Sequence, residues 1–173
     1  MGILTQPMTK LEPPDSMYLE AAKGWCELHA IQEADEELKK IAPHLSDHPL
    51  VLEVRWQVCA NLEKWPDALQ IANAIVEESP DWPNGWIYKA SSLNEMGRFQ
   101  EAYATLSQAA AKFPTDEIIP YDLACVCRAL KRFDEAWTSL GRAVDLGGKE
   151  SKVRALDDPD LEPLRSQIRG LKA

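Results

Sequence analysis

The sequence has 173 residues, 45% hydrophobic and 27% charged, which is enough for a compact domain with a substantial core and too apolar for a purely disordered tail. Its 19 Lys and Arg against 28 Asp and Glu leave a net charge of -9. That balance argues against DNA, RNA and anionic membrane as partners, because gripping phosphates needs a basic face that releases counterions.

Residues 1–14 (MGILTQPMTKLEPP) carry Pro7, Pro13 and Pro14 and show no period, so a flexible arm, extended or disordered, is expected there. Gly2 is not set up for myristoylation, since Gln6 stands where Ser or Thr is needed. From residue 15 the chain repeats. Ala34, Ala68, Ala102 and Ala136 are 34 residues apart, each preceded by an acid (Glu33, Asp67, Glu101, Glu135). Three residues before each Ala stands Ile31, Trp65, Phe99 or Phe133; four after stands Leu38, Ala72, Leu106 or Leu140; seven after stands Ile41, Ile75, Ala109 or Ala143. Five columns in register without an insertion divide the chain into copies 15–48, 49–82, 83–116 and 117–150.

Apolar residues within a copy recur at helical spacing, as in Trp86, Ala90, Leu93 and Met96, then Phe99, Ala102, Leu106, Ala109 and Phe113. Each copy is therefore expected to be two helices. Gly97 separates the helices of the third copy, Pro80 and Pro114 close the second and third, and Gly147-Gly148 closes the fourth. The Ala column has a packing reason, because a side chain larger than methyl would hold two crossing helices apart. In 151–173, Leu161, Leu164, Ile168 and Leu171 recur at helical spacing after the helix-start cluster Asp158-Pro159-Asp160, which predicts a capping helix.

The 34-residue helix-turn-helix period resembles the tetratricopeptide repeat over residues 15–150. The third copy carries the likeness best, in Trp86, Ala90, Leu93, Gly97, Phe99, Ala102, Leu106, Ala109 and Pro114. Departures are Trp56 at a place the family keeps small, Pro120 in the family's Trp place, and Ser46 and Gly148 for the terminal Pro. Tyr121-Asp122-Leu123-Ala124-Cys125 and the stretch from Leu156 to Arg165 also look like the closing repeat and terminal helix of bacterial members. The resemblance implies an all-α, right-handed superhelical solenoid of antiparallel helix pairs, whose first helices line a concave groove that receives a peptide or helix of another protein. Carried over place by place, the partner-binding residues it implies are Leu19, Lys23, Leu50, Glu53 and Gln57 in the first two copies. In the last two they are Asn84, Ile87, Ser91, Asn94, Ile118, Tyr121, Cys125 and Arg128; separately, the position of Trp82 in the turn before the third copy suits contact with a ligand. Leu19, Leu50, Ile87, Ile118 and Tyr121 would form an apolar strip suited to capturing a helix or extended peptide. Chaperone-binding members use a Lys and Asn clamp. Leu19 and Lys23 hold the first-copy places here, so acidic chaperone tails are not the expected ligand.

Other constellations favour structural readings. His44 and His48 are four apart with Asp47 between them, but Pro43 and Pro49 bracket the pair at a seam between copies, which reads as a polar loop rather than a metal site. In a helix the side chains of Cys125 and Cys127 diverge by about 200°, so they read as structural thiols. Trp25, Trp65, Trp86 and Trp137 fall at or beside packing columns. No nucleophile with a base, no phosphate loop and no distinctive carboxylate pair stands out, and neither an enzyme nor a cofactor is expected. Apolar runs fall well short of the ~20 residues that cross a bilayer. The chain opens without a basic stretch leading into a long apolar one, and Cys26, Cys59, Cys125 and Cys127 lie in helix-like surroundings, so a cytoplasmic protein with reduced thiols is expected. Net charge is -5 and -4 in the first two copies against 0 and -1 in the last two, which favours a partner with basic residues and apolar anchors. The expected role is a protein-protein adaptor. Two alternatives are a chaperone for an exported client and a self-associating module whose arm or cap docks in a neighbour's groove.

Overall fold

The computed structural model describes residues 11–170 and divides the chain into two compact units, 1–80 and 81–173. Among the described residues the regular structure is entirely helical. Unit one holds α1 (Asp15–Glu27), α2 (Ile31–Leu38), α3 (Pro49–Asn61) and α4 (Trp65–Glu78). Unit two holds α5 (Pro83–Glu95), α6 (Phe99–Lys112), α7 (Ile118–Ala129), α8 (Phe133–Asp157) and α9 (Arg165–Gly170). The helices pack as consecutive pairs, α1 with α2, α3 with α4, α5 with α6 and α7 with α8.

Local chemistry sets the starts. Pro49 and Pro83 open α3 and α5 and Pro66 is the second residue of α4, all in a first turn where a missing N–H costs nothing. The backbone N–H of Leu50 donates to His48 Nδ1 at 3.2 Å, so His48 is a helix cap, which explains the histidine beside Pro49 without a metal. Asp116 Oδ1 accepts from Ile118 N and Ile119 N at 2.9 and 3.1 Å and caps α7.

The turns inside the pairs repeat as strictly as the Ala column. His29, Glu63, Gly97 and Lys131 all have positive φ, from 55 to 72°. At each turn this residue's N–H bonds three residues back, and the next N–H bonds five residues back, as in Gly97 N to Asn94 O (2.9 Å) and Arg98 N to Leu93 O (2.8 Å). Only the third copy has glycine there. His29, Glu63 and Lys131 carry a Cβ in a conformation that disfavours one, so Glu63→Gly and Lys131→Gly are each expected to stabilise the protein by about 0.5–1 kcal/mol. Thermal melting checks this, with Gly97→Ala as the opposite case.

Ala34, Ala68, Ala102 and Ala136 are all fully buried. In the first helices the equivalent small column, Ala22, Ala90 and Ala124, is closed off as well, whereas Trp56 in that column is only half-buried. An indole cannot enter a site shaped for methyl, and α3 instead buries Val51, Leu52, Val54 and Val58.

Two expectations about the ends need correction. Of the arm 1–14, residues 1–10 lie outside the described residues, but Leu11 is 6% exposed and belongs to the first unit's core with Leu19, Ala22, Ala34, Leu38 and Val54. Its apolar side chain gains more by burial there than by extending into water. The segment 151–173 is also not one helix. Ser151–Asp157 completes α8 beyond a break at Gly148 (φ 60°, ψ -138°), Pro159–Leu164 form a 3₁₀ turn, and only then does α9 begin. Pro159 and Pro163 each lack the N–H that a continuous helix would use. Leu171 lies outside the described residues, but the other periodic residues are buried all the same: Leu161, Leu164 and Ile168 join the second unit's core with Tyr121, Ala124, Leu140, Ala143 and Ala155.

Candidate functional site

In unit two, α5 and α7 lie beside each other with α6 packed against both. Between them is a cavity of about 160 Å³ lined by Ala90, Ser91, Asn94 and Glu95 of α5, Leu106 of α6, and Asp122, Cys125 and Val126 of α7. Ser91, Asn94 and Cys125 were expected at a binding groove, and the fold brings them together. Asn84 and Ile87 continue the same helical face of α5 toward its start, both half-buried. Ile118 and Arg128 are half-buried near the two ends of α7.

Tyr121 is corrected. It is 2% exposed, because the chain returning after α8 covers it: its hydroxyl donates to Asp158 Oδ2 at 2.7 Å, and the Arg154 guanidinium lies 4.1 Å from its ring centre. Burial, together with the Asp158 carboxylate, pushes the Tyr121 phenol upward, which keeps it neutral and donating. The repeat register placed Tyr121 on an open face; in the last pair the C-terminal segment takes that face.

Asp122 is the residue that the register missed. It sits one position past Tyr121 and is half-buried in the cavity wall. Burial pushes its carboxyl up to about 7, Asp116 and Asp158 add to the rise, and Arg154 opposes it. Cys125 Sγ lies 3.9 Å from Asp158 Oδ2. Cys127, two residues on, is buried in the core, and burial pushes its thiol up to about 11. None of the four cysteines is in a disulfide; Cys26 and Cys127 are buried and Cys59 and Cys125 half-buried.

Trp82 was expected to be placed for a ligand, but its ring packs edge-on against Tyr88, with centres 6.5 Å apart at 87°. Of the tryptophans read as packing residues, Trp25 is 38% exposed, beside Gln32, Glu33, Glu36 and Glu37. In unit one, Leu19 is also corrected: at 2% exposure it belongs to the core cluster that includes Leu11, with Leu50 half-buried against it. Lys23 pairs with Glu20 at 3.4 Å. Glu53 and Gln57 are half-buried and share a face of α3 with Leu50. Among the described residues no group of three His, Cys, Asp or Glu is placed to hold a metal ion, and no helix is long and apolar enough to cross a membrane.

Paired helices in a fixed register, small residues at every crossing and a polar cavity between neighbouring first helices define an all-α protein of helical-hairpin repeats. The sequence model of the family described as "Tetratricopeptide repeat" matches residues 93–156, from the end of α5 to near the end of α8. Comparison with curated protein sequences found no match. Among solved structures, "MamA 41-end from Desulfovibrio magneticus RS-1" is similar with a TM-score of 0.69 at 18% identity, over 94% of this chain and 97% of that one. "MamA RS-1 ArsTM double mutant" gives 0.68 at 18% over 94% and 96%, and "MamA AMB-1 P212121" gives 0.61 at 20% over 83% and 79%. At these identities the likeness shows the fold. Residues 93–156 thus match the tetratricopeptide-repeat family model, and the chain shares the fold of helical-hairpin repeats with these structures.

Proposed function

We propose that the protein is a non-enzymatic adaptor that holds a peptide or amphipathic helix of a partner protein in the groove between α5 and α7. The observation that carries this reading is the cavity there, where Ser91, Asn94, Glu95 and Asp122 present polar groups beside apolar Ala90, Leu106 and Val126. Convergent polar groups on a partly apolar floor suit a segment that is anchored by burial and oriented by hydrogen bonds. Ile87 and Ile118 supply apolar surface on the two flanking helices. Leu50, Glu53 and Gln57 on α3 offer the first unit a similar face, with the acidic first half steering a basic partner.

Ile87→Ser combined with Asn94→Ala should weaken capture of native partners by about 2 kcal/mol, with helix content unchanged because both residues are only half-buried. Quantitative pull-downs measure this against Glu77→Lys with Glu78→Lys, two exposed positions on α4. If the α4 pair loses the partners and the groove pair keeps them, binding is elsewhere on the protein. Added salt should weaken capture further, as expected for steering by surface acids.

A further inference from the structure

We propose that the cavity between α5, α6 and α7 is a receptor for the cationic end of a lysine or arginine side chain on the bound segment, with Asp122 as its counter-ion. This rests on the groove reading above and narrows it to one chemistry.

Size decides first. A volume of about 160 Å³ is below the ~300–1,000 Å³ of typical small-molecule pockets, so it suits the end of one side chain better than a cofactor. The lining decides next. Ala90, Leu106 and Val126 offer an apolar wall for a methylene stem, while Asp122 and Glu95 provide carboxylates for a charged tip. No basic residue is among the lining residues, so an anionic ligand would meet two acids and no counter-charge. The cation that acts on Asp122 from within the protein, Arg154, is stacked over the Tyr121 ring at 4.1 Å.

Asp122 is the informative group. Among the described residues it receives neither a hydrogen bond nor an ion pair, and its half-buried side chain lines the cavity. A half-buried carboxylate without a partner holds its charge less well than one in open water, and an arriving cation stabilises that charge. The groups facing it are Glu95 from α5, Cys125 from its own helix, Asp116 ahead of α7, Arg154 from α8 and Asp158 beyond α8; the α6 contribution to the cavity is Leu106.

The proposal has a proton signature. The free carboxyl is held up to about 7, so below that pH a cation must displace a proton before it can pair. Affinity therefore rises with pH and levels off above 7, and binding at pH 5.5 should be roughly thirtyfold weaker than at pH 8.

The test uses the full chain and a phage-displayed library of random dodecapeptides selected at pH 8. Selected peptides are synthesised with the basic residue intact or replaced by norleucine, and titrated calorimetrically at both pH values. The expected result is a Lys or Arg at one shared position. Norleucine and Asp122→Asn should each cost at least tenfold in affinity, and the two losses should not add. Asp122→Asn should flatten the pH response while Glu95→Gln preserves it. Asp122→Asn keeps the size of the side chain and removes a half-buried acid that lacks a partner, so its melting temperature at pH 8 should equal or exceed that of the parent. Peptides that are lost on Ile87→Ser yet tolerate norleucine or Asp122→Asn would overturn the cation site and leave the groove reading standing. Peptides indifferent to Ile87→Ser, or a library that gives no binder, would overturn both.

Discussion

Truncation after Asp157 should sharply destabilise the second unit and drive the protein to associate. Leu161 and Ile168 are fully buried and Leu164 is 5% exposed, all in the cluster that contains Tyr121, Ala124, Leu140 and Ala143. Removing them uncovers the apolar side of α7 and α8, and a terminal repeat without a polar outer surface is a sticky one. Within the intact chain, Leu161→Ala and Ile168→Ala should each cost about 2–5 kcal/mol, the range for emptying a packed site. Tyr121→Phe, which loses the 2.7 Å bond to Asp158, should cost about 1–3 kcal/mol. Thermal denaturation and light scattering measure both consequences. A truncated chain that stayed monomeric with an unchanged melting temperature would show that the segment is only a tail.

The same segment marks the border of what the sequence reveals. Repeat columns are legible because every copy must solve the same packing problem with the same residue types: a methyl at each crossing, an aromatic or large aliphatic side chain opening the second helix. The positive-φ column was legible only at Gly97, since the hydrogen bonds around His29, Glu63 and Lys131 impose that conformation without glycine. The shared helical face of α5 was legible, and Ser91, Asn94 and Cys125 do line one cavity. What covers a face was not legible. Tyr121 occupies the same repeat place as Ile87, yet Asp158 and Arg154, more than 30 residues away in sequence, bury one of them. Leu19 went the same way when Leu11, outside the repeat, joined its cluster. Asp122 gave no periodic signal, because its significance lies in a cavity that only the packed helices create.

Ala136→Leu and Ala102→Leu should each destabilise the protein by about 1–3 kcal/mol, the cost of forcing extra carbons into a filled core. Both alanines are fully buried, and Ala136 packs in the cluster of Tyr121, Cys127, Leu140 and Ile168. The neighbouring Glu101 supplies the control. It is exposed and bonded to Arg98 Nε and Nη2 at 2.7 Å each, an i, i+3 pair on the surface of α6 where water competes for both partners. Glu101→Gln should therefore leave the melting temperature nearly unchanged, although it abuts Ala102 in sequence. The contrast separates the two explanations of why an acid and an alanine recur together every 34 residues: the alanine fits a helix crossing and the acid serves the first turn of the second helix. Equal losses at Ala102, Ala136 and Glu101 would mean that the crossings are not where this column places them.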